Sequence, residues 1–512
     1  MIKFLGHASI YIKTEETSIV TDPWFSKSGA FLNSWFQFPD NTEIDFSWKD
    51  DLDYVCISHE HQDHFDIEFL KTLNKKTKIV IPKYKNRRFY DEIKRNFSND
   101  VIEVNSKEKC LLGDVEFYPI IQIPGWDDSG LLFKTPQETI LDLNDMKLSD
   151  KNDIEWIKSN FDIDYLFVQF SGASWYPHVY PYSSEEKIKF CQSKKINKFK
   201  NVINVFKELK AKVLLPCAGP PCFLSDEHFD INLMSENGFP NQKDFYEYYQ
   251  KDVCILLPED EINMNMDYKE ISENNLNRDC FKNKKMYLEK YKKRRTDLIK
   301  KNIYKIKKFK GSFLNKMKNH FVSVIQSNKY FRDEIGGKVL FEIYDNSKIS
   351  EKIIVDFSSY KYSVCKFDDL VSENYFYTFK IENKFLNLIL DEKMDWETFF
   401  LSMRFKVFRN PDKYNEHLTV LLKYPYESSL KRYEEYKKSK KLDETFILQS
   451  DGKKYECQKY CPHAFGDLSK GEVLDGKVVC PLHKWEFSLS DGSCVNNDSK
   501  IKVTNLGEKN VV

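Results

Sequence analysis

The chain has 512 residues, enough for several domains with sizeable cores, and its 79 basic residues balance 79 acidic ones. This balance gives no reason to expect nucleic acid or an anionic membrane as a partner. Twelve cysteines are spread thinly without dense disulfide spacing, no signal sequence follows Met1, and no run of about 18 apolar residues occurs. We therefore expect a cytoplasmic protein without a membrane span.

The first 60 residues alternate short apolar and polar runs, a period of two that is typical of β-strands. Ile2–Leu5, Ser9–Ile12 and Ser18–Thr21 are the first of these runs, and Asp53–Ser58 is the last. Helical spacing follows over Asp66–Leu73. The pattern predicts an α/β fold in which one strand ends directly before a cluster of metal-binding residue types.

The first candidate metal site follows that last strand. His59 and His61 stand two apart on an extended turn and can converge on one ion, while Asp63 and His64 turn toward a second position. A solvated polar turn is the alternative, but four of six successive residues are ligand types, which favours a metal site. The H-x-H-x-D-H pattern resembles the first metal-binding motif of the metallo-β-lactamase fold.

That resemblance also implies a third His further along the chain, then a bridging Asp and a last His. The stretch Tyr118–Asp128 occupies the place of the third His and contains none, so Asp127 and Asp128 are its candidates. Asp145 follows an apolar strand and stands where the bridging carboxylate is expected. With the third His replaced, we expect at most one well-occupied metal.

Three other ionisable residues of this half are weaker candidates. Asp142 lies within the apolar strand and is expected to stabilise a loop or the fold. His178 and His228 can each be a ligand or an ordinary surface residue. The sequence does not decide between these roles.

Two later strands end in loops rich in Gly and Pro. Tyr165–Phe170 leads into Gly172–Pro177, and Lys212–Pro216 leads into Cys217–Pro220, with a helical pattern over Ser184–Leu209 between them. Loops at the carboxyl ends of such strands commonly hold the substrate. We expect substrate contacts on both loops.

The middle of the chain begins with a strongly basic segment. Lys282–Lys318 has apolar residues near helical spacing, which predicts an amphipathic helix or helix pair with a solvated basic face. Binding of a phosphate or of an acidic redox partner is the alternative role. Lys338–Ile389 alternates as strands and Trp396–Phe408 has a helical pattern, so a small α+β unit is expected before Ser428–Leu442 leads to the last domain.

The last domain carries four ligand residues on two loops. Cys461 and His463 form a C-x-H pair, and Cys480 and His483 form a C-x-x-H pair. This is the ligand set of a Rieske [2Fe–2S] cluster, in which two Cys hold one iron and two His hold the other. A structural zinc site is the alternative, but zinc fingers pair Cys with Cys and His with His along the chain. We therefore predict a one-electron carrier.

Together these features resemble the CMP-N-acetylneuraminate hydroxylase family, which joins a Rieske domain to a metallo-β-lactamase-type domain. Two departures are visible: the Rieske domain is last here but first in the animal members, and Pro124 stands where they carry a His. The matching residues, spread over most of the chain, are His7-Ala8, Asp22-Pro23-Trp24, Ser58-His59, His61, Asp63-His64, Asp145, Gly172-Ala173-Ser174, Tyr176-Pro177, Ala218-Gly219, Arg409-Asn410-Pro411-Asp412 and Tyr414.

The resemblance implies an O2-dependent monooxygenase acting on a CMP-sialic-acid-like or other N-acyl sugar. Electrons from a reductase, ferredoxin or small cytochrome would pass through the cluster to non-haem iron. The iron ligands implied are His59, His61, Asp63, His64 and Asp145. A zinc-dependent hydrolase with a regulatory cluster and an electron-transfer protein with a degraded metal domain stay open as alternatives. Because zinc has no redox chemistry, the attached electron carrier favours iron.

The predicted fold class is α/β with three parts. A metallo-β-lactamase-like αββα sandwich is expected over residues 1–235, and a helical and α+β connecting region over residues 236–435. A small all-β Rieske domain is expected over residues 436–512.

Overall fold

The computed structural model divides the chain into two compact units. The first comprises Met1–His178, Tyr182–Lys307 and Thr398–Met403, and the second comprises Val179–Pro181, Lys308–Glu397 and Arg404–Val512. The residues that the structure describes are 1–122, 128–172, 174–325, 328–358, 363–367, 374–425, 427–439, 444–463, 465–481, 484–497 and 499–508.

Most of the first unit is built from short, buried strands. Its strands are β1 (Ile2–Gly6), β2 (Ser9–Lys13), β3 (Ser18–Thr21), β4 (Trp35–Phe36), β5 (Tyr54–Cys56), β6 (Lys78–Pro82), β7 (Val101–Val104), β8 (Cys110–Leu112), β9 (Val115–Ile121), β10 (Ser129–Lys134), β11 (Thr139–Asp142), β12 (Tyr165–Gln169), β13 (Val213–Cys217), β14 (Cys222–Phe223) and β15 (Glu261–Ile262).

Helices connect these strands. They are α1 (Ile67–Leu70), α2 (Arg88–Asn96), α3 (Lys151–Asn160), α4 (Ser184–Leu209), α5 (Gln242–Tyr248), α6 (Tyr268–Leu276), α7 (Asp279–Lys282) and α8 (Lys284–Lys305), with 3-10 turns at Ser47–Asp51 and Phe229–Leu233. The capping box of Ser183 and Glu186 starts α4, which covers the same residues as the predicted helix. The basic segment forms α8, which buries Leu288, Tyr291 and Ile299.

Two sheets face each other in the first unit. The seven-stranded sheet has the order β15-β1-β2-β3-β5-β6-β7, and the six-stranded sheet has the order β13-β12-β11-β10-β9-β8. Apolar side chains from both sheets form one buried cluster between them, in which the rings of Phe4 and Phe167 stack with centroids 6.5 Å apart. Burial of this interface is the main favourable contribution to the stability of the unit.

Helices cover the outer faces of both sheets. Phe89 and Ile93 of α2 pack on Ile79 beneath the first sheet, and Phe199 of α4 packs with Leu166 on the second sheet. The strands β3, β12 and β13 are therefore buried along their whole length, and the period-two alternation in the sequence does not mark a solvent-exposed face there. The predicted αββα sandwich is confirmed.

The ends of these strands hold unusual backbone conformations. His7 follows β1 with a φ of 53°, Asp22 follows β3 with 35°, Asn144 follows β11 with 36°, and Ala218 follows β13 with 47°. Positive φ is strained for residues with a side chain, and such strain is found at functional sites. His7 also accepts a backbone hydrogen bond of 2.8 Å from the amide of Ala218. The strained residues thus mark the edge of the sandwich that holds the candidate site.

The second unit begins with a small α+β region. Its elements are α9 (Leu314–Ile325), α10 (Lys329–Ile335), β16 (Lys338–Asp345), β17 (Lys348–Asp356), β18 (Ser363–Lys366), β19 (Tyr377–Glu382), α11 (Asn383–Leu390), α12 (Trp396–Leu401, whose last residues belong to the first unit), β20 (Phe405–Arg409), α13 (Glu416–Lys423) and α14 (Glu427–Ser439). The five strands form one sheet in the order β18-β17-β16-β19-β20.

Two secondary-structure predictions in this region are wrong. The strand pattern predicted up to Ile389 ends at Glu382, because Asn383–Leu390 forms α11 and buries Phe385, Leu386 and Ile389 on one face. The helix predicted over Trp396–Phe408 ends at Leu401, and Phe405 to Arg409 pair with β19 instead. Tertiary pairing decides the conformation of such short aromatic runs.

The C-terminal part of the second unit is all-β. Its strands are β21 (Thr445–Ser450), β22 (Lys453–Gln458), β23 (Glu472–Leu474), β24 (Lys477–Val479), β25 (Glu486–Ser488) and β26 (Val503–Glu508), with a 3-10 turn at Leu468–Lys470. They form two three-stranded sheets, β21-β22-β26 and β23-β24-β25. The predicted limits of the three domains stay a prediction. None of the helices in the described ranges has the length and apolar composition that crossing a bilayer requires.

We expect Phe167→Ala to destabilise the first unit. Phe167 is fully buried between the sheets, so its truncation should lower the free energy of unfolding by about 3 to 5 kcal/mol. Leu111→Ala is the control, because Leu111 is 64% exposed and its truncation should change stability by no more than about 0.5 kcal/mol. Urea denaturation measures both. Equal midpoints would contradict the proposed core.

Candidate metal centre

The H-x-H-x-D-H residues lie in the loop that leaves β5. This strand is central and parallel to β3 and β6, and the amide of Ile57 continues the pairing by donating to the carbonyl of Val80 at 2.9 Å. The side chains of His59, Asp63 and His64 are buried at the carboxyl end of the strand. The motif is therefore an interior cluster, which argues against an ordinary solvated turn.

Asp22 fixes the geometry of this loop. Its carboxylate is fully buried and accepts hydrogen bonds from the amide of Ser58 at 2.7 Å and from the hydroxyl of Ser58 at 2.6 Å. Oδ2 of Asp22 also lies 2.8 Å from Nδ1 of His64. A carboxylate behind an imidazole sets its tautomer and ring orientation, which leaves Nε2 of His64 to face the cluster.

One group of donor atoms forms around His59. Its Nε2 atom lies 2.8 Å from Nδ1 of His61 and 3.9 Å from Oδ1 of Asp128. Ligand atoms stand about 2.1 Å from a first-row metal ion, so two ligands of one ion lie about 3 to 4 Å apart. The contact between His59 and Asp128 falls in this range, and the two imidazole nitrogens, now at hydrogen-bond distance, would separate slightly around an ion. His59, His61 and Asp128 have the residue types and spacing to hold one ion.

A second group forms around His64. Its Nε2 atom is buried without a hydrogen bond, 3.5 Å from Oδ1 of Asp145 and 3.9 Å from Oδ2 of Asp63. His7 joins this group, since its Nε2 atom lies 3.2 Å from Oδ2 of Asp63. A buried polar nitrogen between two carboxylates, outside hydrogen-bond distance, fits a metal ligand.

Electrostatics in the cluster also favour a cation. Burial, with the neighbouring His64 and His61, lowers the pKa of His59 to about 3, so this imidazole is neutral and able to bind a metal. Burial opposes protonation of His64, but the carboxylates of Asp145 and Asp63 outweigh it and raise its pKa well above the usual value. For Asp145, burial opposes ionisation, yet His64 outweighs it and lowers the pKa. The cluster thus attracts positive charge.

Two successive hydrogen bonds hold the carboxylate of Asp145 in place. Its Oδ1 atom accepts a hydrogen bond from Nε2 of Gln169, and Oε1 of Gln169 accepts one from Nζ of Lys198. Gln169 is the last residue of β12 and Lys198 lies on α4. The lysine fixes which way the amide of Gln169 points, and the amide in turn orients the carboxylate of Asp145 toward His64.

The structure brings together all five residues predicted for this site. His59, His61, Asp63, His64 and Asp145 face one cluster, and their roles as ligands stay a prediction. His7 and Asp128 were not among the five, although Asp128 had been a candidate for the place of the third His. In the sequence, His7 stands only among the residues that carry the family resemblance, and no local spacing marks it as a ligand.

The other described candidates make contacts outside the two donor groups. His178 is buried with its Nε2 atom 2.8 Å from the carbonyl of Asn237, and His228 is buried beside the carbonyl of Met403 at 3.2 Å. Asp142 is fully buried, accepts from the amide of Asn144 at 3.0 Å, and has its pKa raised by burial, consistent with a fold-stabilising acid. Asp127 and Pro124 lie outside the described residues.

The loops predicted to contact substrate meet at the same edge. Gly219 has a φ of 140°, and a Cβ atom there would lie 2.9 Å from Cβ of Ser171. Gly172 is equally constrained, since a Cβ atom would lie 2.2 Å from the carbonyl oxygen of Gly238. Both glycines are therefore required by close approach of the loops.

Three of the four cluster ligands predicted in the second unit lie in or against one small core. Cys461 and Cys480 are each 1% exposed, and the ring of His463 stacks on Trp485 with centroids 4.0 Å apart. The amide of Cys461 donates to the carbonyl of Gly466 at 2.9 Å, which closes the first loop. His483 lies outside the described residues. Two buried sulfurs and an aromatic cover fit a [2Fe–2S] cluster.

We expect Asp22→Asn to weaken metal binding by about 10- to 100-fold, because the amide cannot hold both Ser58 and His64 as the carboxylate does. Titration of metal-free protein with Fe(II) under anaerobic conditions measures this affinity. The exposed Asp50, replaced by Asn, is the matched control. If the two variants bind Fe(II) equally well while both remain folded, Asp22 does not support the site.

Three families match parts of the chain, and two of the matches overlap at residues 422–439. Residues 1–117 match a Beta-lactamase superfamily domain, residues 313–439 match an Rv3818-like, SCP2-like domain, and residues 422–506 match a Rieske [2Fe-2S] domain. The predicted Rieske cluster is therefore confirmed, and the zinc alternative for these loops is set aside.

One relative matches this chain over almost the whole length of both proteins. A protein of Mycolicibacterium smegmatis named as a Rieske 2Fe-2S iron-sulfur protein is 28% identical over 96% of this chain and 97% of its own length. A shorter match, 26% identical over 25% of this chain and 24% of the relative, is with the 4-amino-L-phenylalanyl-[CmlP-peptidyl-carrier-protein] 3-hydroxylase of Streptomyces venezuelae. The resemblance to the CMP-N-acetylneuraminate hydroxylase family stays a prediction.

Among solved structures, CmlA, a diiron beta-hydroxylase from Streptomyces venezuelae, superposes with a TM-score of 0.32 at 17% identity. The superposition covers 42% of this chain and 44% of that chain, and it carries no argument about chemistry. The family matches and the αββα sandwich together define the domain architecture. The chain joins a β-lactamase superfamily domain of αββα fold to an SCP2-like region and a C-terminal Rieske [2Fe–2S] domain.

Proposed function

We propose that the protein is an O2-dependent hydroxylase that uses non-haem iron in its β-lactamase superfamily domain. The observation that carries this proposal is a buried cluster of imidazoles and carboxylates in the same chain as a one-electron carrier. A Rieske cluster donates single electrons, so it is useful to a protein whose other metal can accept them. Zinc cannot accept electrons. The donor set of His and Asp suits non-haem iron.

Two ions fit the arrangement better than the single ion expected from the sequence. His59, His61 and Asp128 would hold one, and Asp63 and His64 would hold the other, with His7 as the further nitrogen beside Asp63. Asp145 would lie between the two groups, since its charge acts on His59 and His64 alike. When bound, iron supplies the activation of O2 and the insertion of oxygen into a C–H bond.

The protein's own residues would orient and enclose the centre. Asp22 sets the rings of His64 and, through Ser58, of His59, whose Nδ1 atom lies 2.8 Å from the Ser58 hydroxyl. The side chains of His59 and His64 are 1% and 0% exposed, whereas those of Asp128 and Asp145 are 23% and 15% exposed. We infer that substrate and O2 approach from the side of the two aspartates.

The named relative from Streptomyces venezuelae supports a hydroxylation. Its substrate, an aminophenylalanyl group on a peptidyl-carrier-protein, belongs to that protein, and we take over only the reaction class. A CMP-sialic-acid-like or other N-acyl sugar stays a prediction from the earlier resemblance. A reductase, ferredoxin or small cytochrome is the partner that the Rieske domain requires, because the cluster must be reduced for each turnover.

The metal assignment predicts the effect of removing two ligands. Anaerobically prepared protein should contain about four irons and about two acid-labile sulfides per chain, two irons being in the cluster. His59→Ala combined with His61→Ala should lower iron by at least one while sulfide stays unchanged. Iron and sulfide analysis with electron paramagnetic resonance of the reduced cluster measures both.

Loss of sulfide together with iron would mean that the double variant fails to fold. His64→Gln then provides a second test, since it keeps a similar volume and removes one donor. Wild-type protein that retains zinc at this site after iron reconstitution, with a full cluster, would contradict the iron assignment.

The reaction itself is tested by following oxygen. Chemically reduced protein should reoxidise its cluster in O2 faster than the His59→Ala/His61→Ala variant, because the electrons leave through the N-terminal site. Incubation with CMP-N-acetylneuraminate under ¹⁸O2 tests the predicted sugar, and a product with one labelled oxygen supports it. Equal reoxidation rates, together with O2-independent cleavage of bis-p-nitrophenyl phosphate by zinc-loaded protein, would identify a hydrolase instead.

A further inference from the structure

Lys437 binds the backbone of the first cluster-binding loop from outside the Rieske sheets. It lies on α14, and its ammonium donates to the carbonyl of Pro462 at 2.9 Å and to the carbonyl of His463 at 2.5 Å. The third donor goes to Oε2 of Glu416 at 3.0 Å. An ammonium has three N–H donors, so all of them are used and the charge is fixed in place.

Glu416 completes the arrangement. It is the first residue of α13, and its Oε1 atom accepts a hydrogen bond of 2.5 Å from the hydroxyl of Tyr433. The same oxygen lies 4.0 Å from Nε2 of His463, the imidazole that belongs to the cluster motif. Opposite charges from two helices therefore face the same cluster-binding residue, Lys437 at its backbone and Glu416 at its ring.

The partial burial of Lys437 and Glu416 strengthens the electrostatic effect of their charges on the cluster-binding loop. The side chains of Lys437 and Glu416 are 11% and 13% exposed, and Nζ of Lys437 lies 5.3 Å from the ring centroids of both Tyr433 and Phe465. Coulomb interactions in such a partly desolvated site are several-fold stronger than in water. The ammonium and the carboxylate also pair with each other, so removal of either one leaves the other charge uncompensated beside His463.

We propose that Lys437 and Glu416 are positioning residues that set the reduction potential of the Rieske cluster in opposite directions. Reduction adds one negative charge to the cluster, so Lys437 favours the reduced state and Glu416 disfavours it. Glu416 belongs to the SCP2-like match and Lys437 to its overlap with the Rieske match, which gives this junction a role in tuning electron transfer. This role holds whatever reaction the N-terminal site performs.

The test is a redox titration of the full chain at about pH 8, where carboxylates remain ionised. At the wild-type midpoint, Lys437→Met should lower the ratio of reduced to oxidised cluster by about tenfold, equivalent to about 59 mV for one electron. Glu416→Gln should raise the ratio. Lys437→Arg, which keeps the charge, should restore most of the wild-type ratio, and circular dichroism of the cluster reports the redox state.

Lys438→Met is the matched control, because Lys438 is the next residue, is 67% exposed and pairs with Glu434 at 2.5 Å. It should leave the ratio unchanged. Three results would overturn the proposal. The first is an equal shift in Lys437→Met and Lys438→Met, and the second is no shift in either Lys437→Met or Glu416→Gln. The third is a shift of the same sign in Lys437→Met and Glu416→Gln. If Lys437→Met does not hold a cluster, Glu416→Gln decides alone: a raised ratio supports the proposal, and an unchanged or lowered ratio overturns it.

Discussion

Burial of the Asp22 carboxylate is the constraint from which the metal centre follows. A carboxylate with no exposure is stable only when its oxygens are hydrogen-bonded or paired. Asp22 meets this requirement with the amide and hydroxyl of Ser58 and with the ring of His64. These contacts tie the end of β3 to the loop after β5 and thereby place the first motif. The positive φ of Asp22 is the strain that accompanies this placement.

Much of the fold could be predicted because local signals agree with the tertiary structure. The helix over Ser184–Leu209 has both a capping box and an apolar stripe, and the sequence predicts both ends correctly. The aromatic run from Trp396 is different, since its apolar residues fit either a helix or a strand. Met403, with a φ of 56°, ends the helical conformation, and pairing with β19 then selects a strand. Neither cause is visible in the local sequence.

The candidate site shows the same division between local and distant information. His59, His61, Asp63 and His64 are close in sequence, so their spacing alone indicates a common ion. His7 and Asp128 reach the cluster from segments next to other strands. His7 is 56 residues from its partner Asp63, and Asp128 is 69 residues (128 − 59) from its partner His59. Spacing cannot show such contacts, because they depend on how the sheets are ordered. The sequence shows only that the place of the third His is empty. Asp128 lies 3.9 Å from His59, and its role as the replacing ligand stays a prediction.

The two metal-binding regions use a carboxylate against an imidazole in different ways. Asp22 lies 2.8 Å from His64, a distance at which a hydrogen bond fixes the tautomer and the ring plane. Glu416 lies 4.0 Å from His463, which is too long for a hydrogen bond, so its influence there is by charge. A catalytic ion depends on ligand geometry, whereas an electron carrier depends on the energy difference between two charge states. The distance between carboxylate and ring therefore matches the chemistry that we propose for each region.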